Sequence, residues 1–231
     1  MLTADECIPY VVAGAQTEGH LGVGTVTELS TDSSEHQDGQ KGGPVIVSNF
    51  MQVDFDAFAK CYGKRHGIAV PASCDALSRS AKNGHRFFFV EYKGGNIVAH
   101  DQKTDVLFIR GKDAGAIEKK LYDSALMLVK ERVVNLDVLR QSFAVLVVVR
   151  DDCIPRTREG GVPVTSRNPV LNHLRRTALE FTLRSMTGLA ETLYLDVKIL
   201  SASTFQRLYL PYFESAEDNV RNLAHFGLAL G

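Results

Sequence analysis

The chain has 231 residues, 45% of them hydrophobic and 23% charged, with a formal net charge of −1. That suits one substantial globular domain and argues against a generally basic nucleic-acid coat protein. The total conceals an uneven distribution: residues 1–58 hold nine acids and one base, Lys41 (net −8), whereas residues 60–93 hold seven bases against Asp75 and Glu91 (net +5). Residues 156–184 carry six Arg against two Glu (net +4). Basic regions around acids suit a phosphate-bearing substrate, although solvated charge gives the same pattern. The four cysteines lack CxxC or metal-ligand spacing, the N-terminus has no signal-like pattern, and no apolar run approaches bilayer length. The expectation is a cytoplasmic protein with reduced thiols and no membrane contact.

Along the chain, Ile8 to Ala13 reads as a strand or a first helical turn, and Val23 to Leu29 as a weak strand. The segment from Ser30 to Gly43 has loop composition. Val45 to Val47 is a short strand or the lead-in to a helix. From Asp54, a plausible N-cap, the spacing of Phe55, Phe58, Ala59 and Tyr62 predicts a helix that stops at Gly63 or Gly67. A β-hairpin follows, with Asn83-Gly84 as its turn signal because both residues tolerate positive φ. Ile97 to Ala99 and Val106 to Ile109 form a second strand pair. Ile117, Leu121, Ala125 and Leu128 mark a helix over 115–132. The unalternating run Phe143 to Val149 predicts a strand covered on both faces, as in α/β layers. After a loop over 153–169 come a helix at Val170 to Met186, a strand at Leu193 to Leu200, and a helix at Ser203 to Phe213 capped near Ser203 or Thr204.

The hairpin carries the chemistry. The apolar run Phe87 to Val90 ends in Glu91-Tyr92-Lys93, and strand alternation projects Glu91 and Lys93 to one face with Tyr92 to the other. Two carboxylates near a strand end can hold Mg²⁺, and a neighbouring lysine can offset charge developing on a phosphodiester. Whether Asp75 supplies the second carboxylate is a matter of register. A two-residue turn at Asn83-Gly84 sets Asp75 opposite Tyr92, whereas a three-residue loop, Lys82 to Gly84, or a bulge sets it opposite Glu91. The triplet alone is not specific, since Glu118-Lys119-Lys120 repeats it inside the predicted helix.

The order helix, hairpin bearing Asp75 and then Glu91-Tyr92-Lys93, helix, strand resembles the PD-(D/E)xK nuclease superfamily over about residues 50–152. The resemblance implies an α/β (α+β) restriction-endonuclease-like fold, a mixed central sheet flanked by helices. Residues 1–49 would be an acidic, partly disordered N-terminal arm, and residues 153–231 a mostly helical C-terminal subdomain packed on the core. It implies Asp75 and Glu91 as metal ligands, the Tyr92 carbonyl as a third, and Lys93 as the catalytic lysine, with Mg²⁺ or Mn²⁺ as cofactor if the site is active. Lys119, Lys120 and Tyr122 are the polar residues offered by the following helix; with Arg79 and Arg86 they are the expected substrate contacts. Cys74 stands where the family's pattern has proline, and the first helix offers Asp54 and Asp56 in place of a glutamate.

The functional expectation is a metal-dependent nuclease hydrolysing a phosphodiester of DNA or RNA. The alternative is a non-catalytic nucleic-acid- or protein-binding regulatory protein on the same scaffold; a third reading makes the acidic arm a screen over the basic region. A homodimer or a protein partner is compatible with the sequence. Other constellations are weaker: the seven histidines show no HxH or HExxH spacing, with His66 and His85 flanking the candidate site, and no P-loop is present. Cys61 and Cys74 read as small buried hydrophobes.

Overall fold

The run Phe143 to Val149 lies at the heart of the protein, every residue of it buried. The computed structural model describes residues 2, 4–17, 19–31, 42–101, 106–154 and 192–217. Within them a six-stranded mixed sheet has the order β1-β2-β3-β4-β7-β8, beside a separate two-stranded ribbon, β5-β6. The strands are β1 (Val23–Thr25), β2 (Met51–Asp54), β3 (Ala76–Arg79), β4 (Phe87–Lys93), β5 (Val98–Asp101), β6 (Val106–Ile109), β7 (Phe143–Val149) and β8 (Asp196–Ser201). β1 to β4 run antiparallel in succession; β4, β7 and β8 are parallel, so the carboxyl ends of these three strands share one edge. The architecture is mixed α and β, as expected.

Alternation along β4 divides the core. Phe87 and Phe89 face one layer and Phe88, Val90 and Tyr92 the other. The first layer is closed by α1 (Ala4–Gln16), α3 (Phe55–His66) and α4 (Gly111–Lys130). Phe89 sits at its centre with no exposed surface, its ring 5.0 Å from Phe55 and 5.6 Å from Phe143. The second layer is closed by α2 (Val26–Leu29), α6 (Ala202–Leu208) and the 3-10 turn Leu210–Tyr212, through Val26, Phe205, Leu210 and Phe213. α3 starts as predicted, with Asp54 Oδ1 accepting from the Ala57 N–H at 2.8 Å, and stops at Gly67 in the left-handed conformation (φ 63°). α4 covers the predicted face of Ile117, Leu121, Ala125 and Leu128.

Several expectations are corrected. Residues 4–16, assigned to an arm and read at Ile8 to Ala13 as strand or first turn, form a full helix. Its Cys7, Ile8, Val11, Val12 and Ala15 are buried at helical spacing. α1 crosses α3 so closely that a Cβ on Gly14 would come within 2.8 Å of the Phe58 ring. Val23 to Leu29 divides into β1 and the short α2, because Thr25 and Glu28 form a reciprocal capping box. β2 went unanticipated because it is short and runs directly into α3, and Val45 to Val47 is neither strand nor helix. α5 (Leu136–Ser142), capped by Asn135, was also missed. β8 is not part of an appendage but joins the central sheet beside β7, and the helix after it is capped by Ser201. The predicted helix at 170–186 and most of the loop at 30–43 lie outside the described residues. All four cysteines are free and buried. No helix among the described residues is long and apolar enough to cross a membrane.

Candidate functional site: two carboxylates and two lysines at the end of a hairpin

The register of the β3–β4 hairpin builds the site. Ala76 pairs with Val90 and Arg79 with Phe87, so Asp75, one step before β3, lies opposite Glu91. The turn differs from both expected forms. The ladder closes at Ser80, whose N–H donates to the Arg86 carbonyl at 2.9 Å, leaving a loop over 81–85. Neither Asn83 nor Gly84 has positive φ. Asn83 instead works through its oxygens: the side chain accepts from the His85 N–H at 3.1 Å and the carbonyl from the Arg86 N–H at 2.8 Å.

At the other end of the hairpin the ladder opens. In a regular antiparallel pair the Cys74 N–H would donate to the Tyr92 carbonyl. Here it donates to Ser124 Oγ at 3.0 Å, and the Tyr92 N–H donates to Asp75 Oδ2 at 2.6 Å. The N–H and carbonyl of one strand residue point to the same side, so the Tyr92 carbonyl also faces the Asp75 side. The Tyr92 ring turns to the opposite layer, where its hydroxyl donates to Gln52 Oε1 at 2.6 Å.

Helix α4 holds the opened end. Asp123 Oδ2 accepts from the Ala72 N–H at 3.1 Å, Ser124 takes Cys74, and Lys120 reaches Asp75 Oδ1 at 3.1 Å. The same ammonium lies 2.8 Å from Glu91 Oε1 and 3.0 Å from Oε2, so it bridges the two carboxylates. Lys93 Nζ adds a second contact to Glu91 Oε1 at 2.6 Å. Glu91 has no exposed surface. An isolated buried carboxylate would cost several kcal/mol, and two ammonium groups offset that cost. Yet Glu91 Oε1, despite both ion-pair contacts, receives no aligned hydrogen bond. Burial, then the charge of Glu91, push the Asp75 carboxyl up to about 7, against the opposing pull of Lys120 and the Tyr92 N–H. For Lys120 burial acts against the charge, but Glu91 and Asp75 outweigh it and raise the ammonium above its ordinary range. Asp56, in the first turn of α3, is hydrogen-bonded to the Ser73 hydroxyl and adds its negative field to both Asp75 and Lys120.

Of the sequence-predicted residues, Asp75, Glu91, Lys93, Lys120 and the Tyr92 backbone come together. Arg79 and Arg86 do not, because they sit at the turn end, four or more strand positions away and so roughly 13 Å or more. Arg79 Nε donates to the Gly84 carbonyl at 2.5 Å and its guanidinium lies 3.7 Å from Glu214. Arg86 is exposed beside a cavity of about 340 Å³ floored by Phe88 and Leu146 on the opposite layer. On α4, Lys119 is exposed and paired with Asp123 at 2.6 Å, and Tyr122 is half exposed. His66 pairs with Glu131 at 2.7 Å at the end of α3, and His85 lies in the turn loop, so neither joins the cluster. Ser124, Ser73 and Asp56 were not recognised as supports. Ser124 was legible as the residue one helical turn beyond Lys120, on the same face.

The site stands at the shared carboxyl edge of the parallel strands, where α/β sheets present their ligands; the Lys93 carbonyl accepts there from the Arg150 N–H at 3.1 Å. Among the described residues no group of three or more His, Cys, Asp or Glu side chains is arranged to hold a metal. No protein-family model, curated protein or solved structure matches the chain.

Proposed function

We propose that the chain is a metal-dependent nuclease with a restriction-endonuclease-like core, acting on a phosphodiester of DNA or RNA. The observation that carries the proposal is the convergence of Asp75 and Glu91 on one point, with Lys93 alongside. The element order supports it: α3, the β3–β4 hairpin, α4, and β7 returning parallel to β4.

The donor set suits a hard divalent cation. It offers two carboxylates that already converge on one cation, the Lys120 ammonium, and a backbone carbonyl facing the same side. Asp75, Glu91 and the Tyr92 carbonyl would hold Mg²⁺ or Mn²⁺. When bound, the ion supplies Lewis-acid polarisation of a phosphoryl oxygen. Lys93, its ammonium 2.6 Å from Glu91 Oε1 and its side chain a quarter exposed, would stabilise charge on the scissile phosphate. Glu91 holds that ammonium, Asp75 and Glu91 together hold Lys120, and Ser124 and Asp123 fix the backbone that carries Asp75.

One observation favours the second reading, a non-catalytic nucleic-acid- or protein-binding regulatory protein. The Lys120 ammonium already occupies the position between the two carboxylates, and with Lys93 it balances their charge. Incubation of the full chain with plasmid DNA, single-stranded DNA and RNA in Mg²⁺ or Mn²⁺ separates the two. The nuclease reading expects cleavage that chelation stops and that Lys93→Ala abolishes at a temperature where the variant is still folded, although losing one partner of buried Glu91 lowers its thermal midpoint. Cleavage retained in Lys93→Ala overturns these roles, and no cleavage of any substrate selects the binding reading.

A further inference from the structure

Lys120 occupies the point on which the two carboxylates converge. Its ammonium lies 3.1 Å from Asp75 Oδ1 and 2.8 and 3.0 Å from the two Glu91 oxygens. Oxygen ligands approach Mg²⁺ to about 2.1 Å, so a divalent ion at this point requires the carboxylates to draw in by about 1 Å. It also requires the ammonium to leave, because two cations cannot share the position. The lysine has somewhere to go. A quarter of its side chain is exposed whereas Glu91 has no exposed surface, so of the two partners the lysine has the shorter way out to solvent. Lysine is a long chain with freely rotating donors and reorients at low cost. Asp56 stands near enough to act on its charge.

From this geometry we infer that Lys120 is a tethered competitor for the cation position. It holds Asp75 and Glu91 together while no divalent ion is bound and is expelled when one enters. The inference rests on the metal-site reading of Asp75 and Glu91 and adds a control to it. Metal binding is an exchange of one cation for another, so the apparent affinity of the wild-type chain is lowered by the free energy of the lysine contacts. The expelled ammonium moves to the solvent side of the carboxylates, where an anionic substrate would lie.

The test is calorimetric titration of the full chain with Mn²⁺, in the wild type, in Lys120→Met, and in Lys120→Met combined with Glu91→Gln. Removing charge-assisted contacts of ordinary strength should tighten Mn²⁺ binding by roughly tenfold or more in Lys120→Met. The double variant should lose that binding. Equal or weaker binding in a folded Lys120→Met protein overturns the inference. If that variant does not fold, the wild type reports the same exchange through the rate of amine methylation at Lys120, read by mass spectrometry with Lys119 as internal reference. Mn²⁺ should accelerate modification of Lys120 relative to Lys119, and an unchanged ratio, whether or not Mn²⁺ binds, overturns the inference. Tighter Mn²⁺ binding in Lys120→Met, together with no cleavage of any nucleic acid by the wild type, sustains the exchange and removes the nuclease reading, so the two fail separately.

Discussion

The two ends of the β3–β4 hairpin carry similar charged residues and use them in opposite ways. At the turn end Arg79, Lys82 and Glu214 decorate a closed ladder. Arg79 folds over Gly84, Lys82 lies 3.5 Å above the Tyr212 ring, and the Glu214 N–H donates to the Arg79 carbonyl at 2.9 Å. At the other end the ladder is open, two carboxylates are drawn below the surface, and three residues of α4 replace the missing strand contacts. Charge at a strand end therefore says little by itself. What separates a fastening from a candidate site is burial together with backbone groups diverted from the ladder to side chains.

Substitutions at the two ends sharpen the contrast. The largest effect is expected at Glu91, where Glu91→Ala strands two ammonium groups beside a buried space and should cost about 3–5 kcal/mol in urea unfolding. A loss below about 1 kcal/mol would mean that the carboxylate is not the buried hub described above. Arg79→Ala removes a hydrogen bond and an ion pair at the turn and should cost about 1–2 kcal/mol while leaving Mn²⁺ binding unchanged. A change in Mn²⁺ affinity there would break the separation of the two ends.

A charged cluster away from the hairpin gives a pH-dependent control. Burial opposes ionisation of Glu131, but hydrogen bonds from Tyr10 and His66 and the charge of Arg65 outweigh it and hold the carboxyl below its ordinary range. A carboxylate whose folded pKa is depressed adds stability that is complete above its unfolded pKa and is lost as pH falls through the folded one. Glu131→Gln should therefore flatten the acid side of the stability profile, by about 1 kcal/mol near neutrality, without moving Mn²⁺ affinity. An acid limb identical to wild type would show that the cluster contributes nothing. The smallest effect belongs to Lys82→Ala, whose exposed cation–π contact is worth about 0.5–1 kcal/mol by thermal unfolding.

The parts legible in the sequence are those with strong periodicity or local chemistry. Phe55, Phe58 and Tyr62 announced α3, the unbroken run in β7 announced a strand covered twice, and Glu91 with Lys93 followed from alternation. The convergence of Asp75 on Glu91 was visible only as one of two registers. The choice between them was made in three dimensions, by Asn83 oxygens that build a longer loop and by Ser124 and Lys120 that pull Asp75 towards α4. The second Glu-x-Lys, Glu118-Lys119-Lys120, carries no meaning as a motif, and Lys120 is expected from the sequence as a substrate contact rather than as a bridge between the carboxylates. Its last residue bridges the site because it lies one turn from Ser124 on the helix face turned to the hairpin, a fact that depends on how α4 docks. α1 was hidden behind the acidic composition around it, although its apolar residues keep helical spacing.

The most direct measurement is a crystal of the full chain soaked in Mn²⁺ and examined by anomalous scattering. The account predicts an anomalous peak coordinated by Asp75 and Glu91, with the Lys120 ammonium withdrawn from between them. Peaks confined to other surfaces, with Lys120 still bridging the two carboxylates at saturating Mn²⁺, would contradict it.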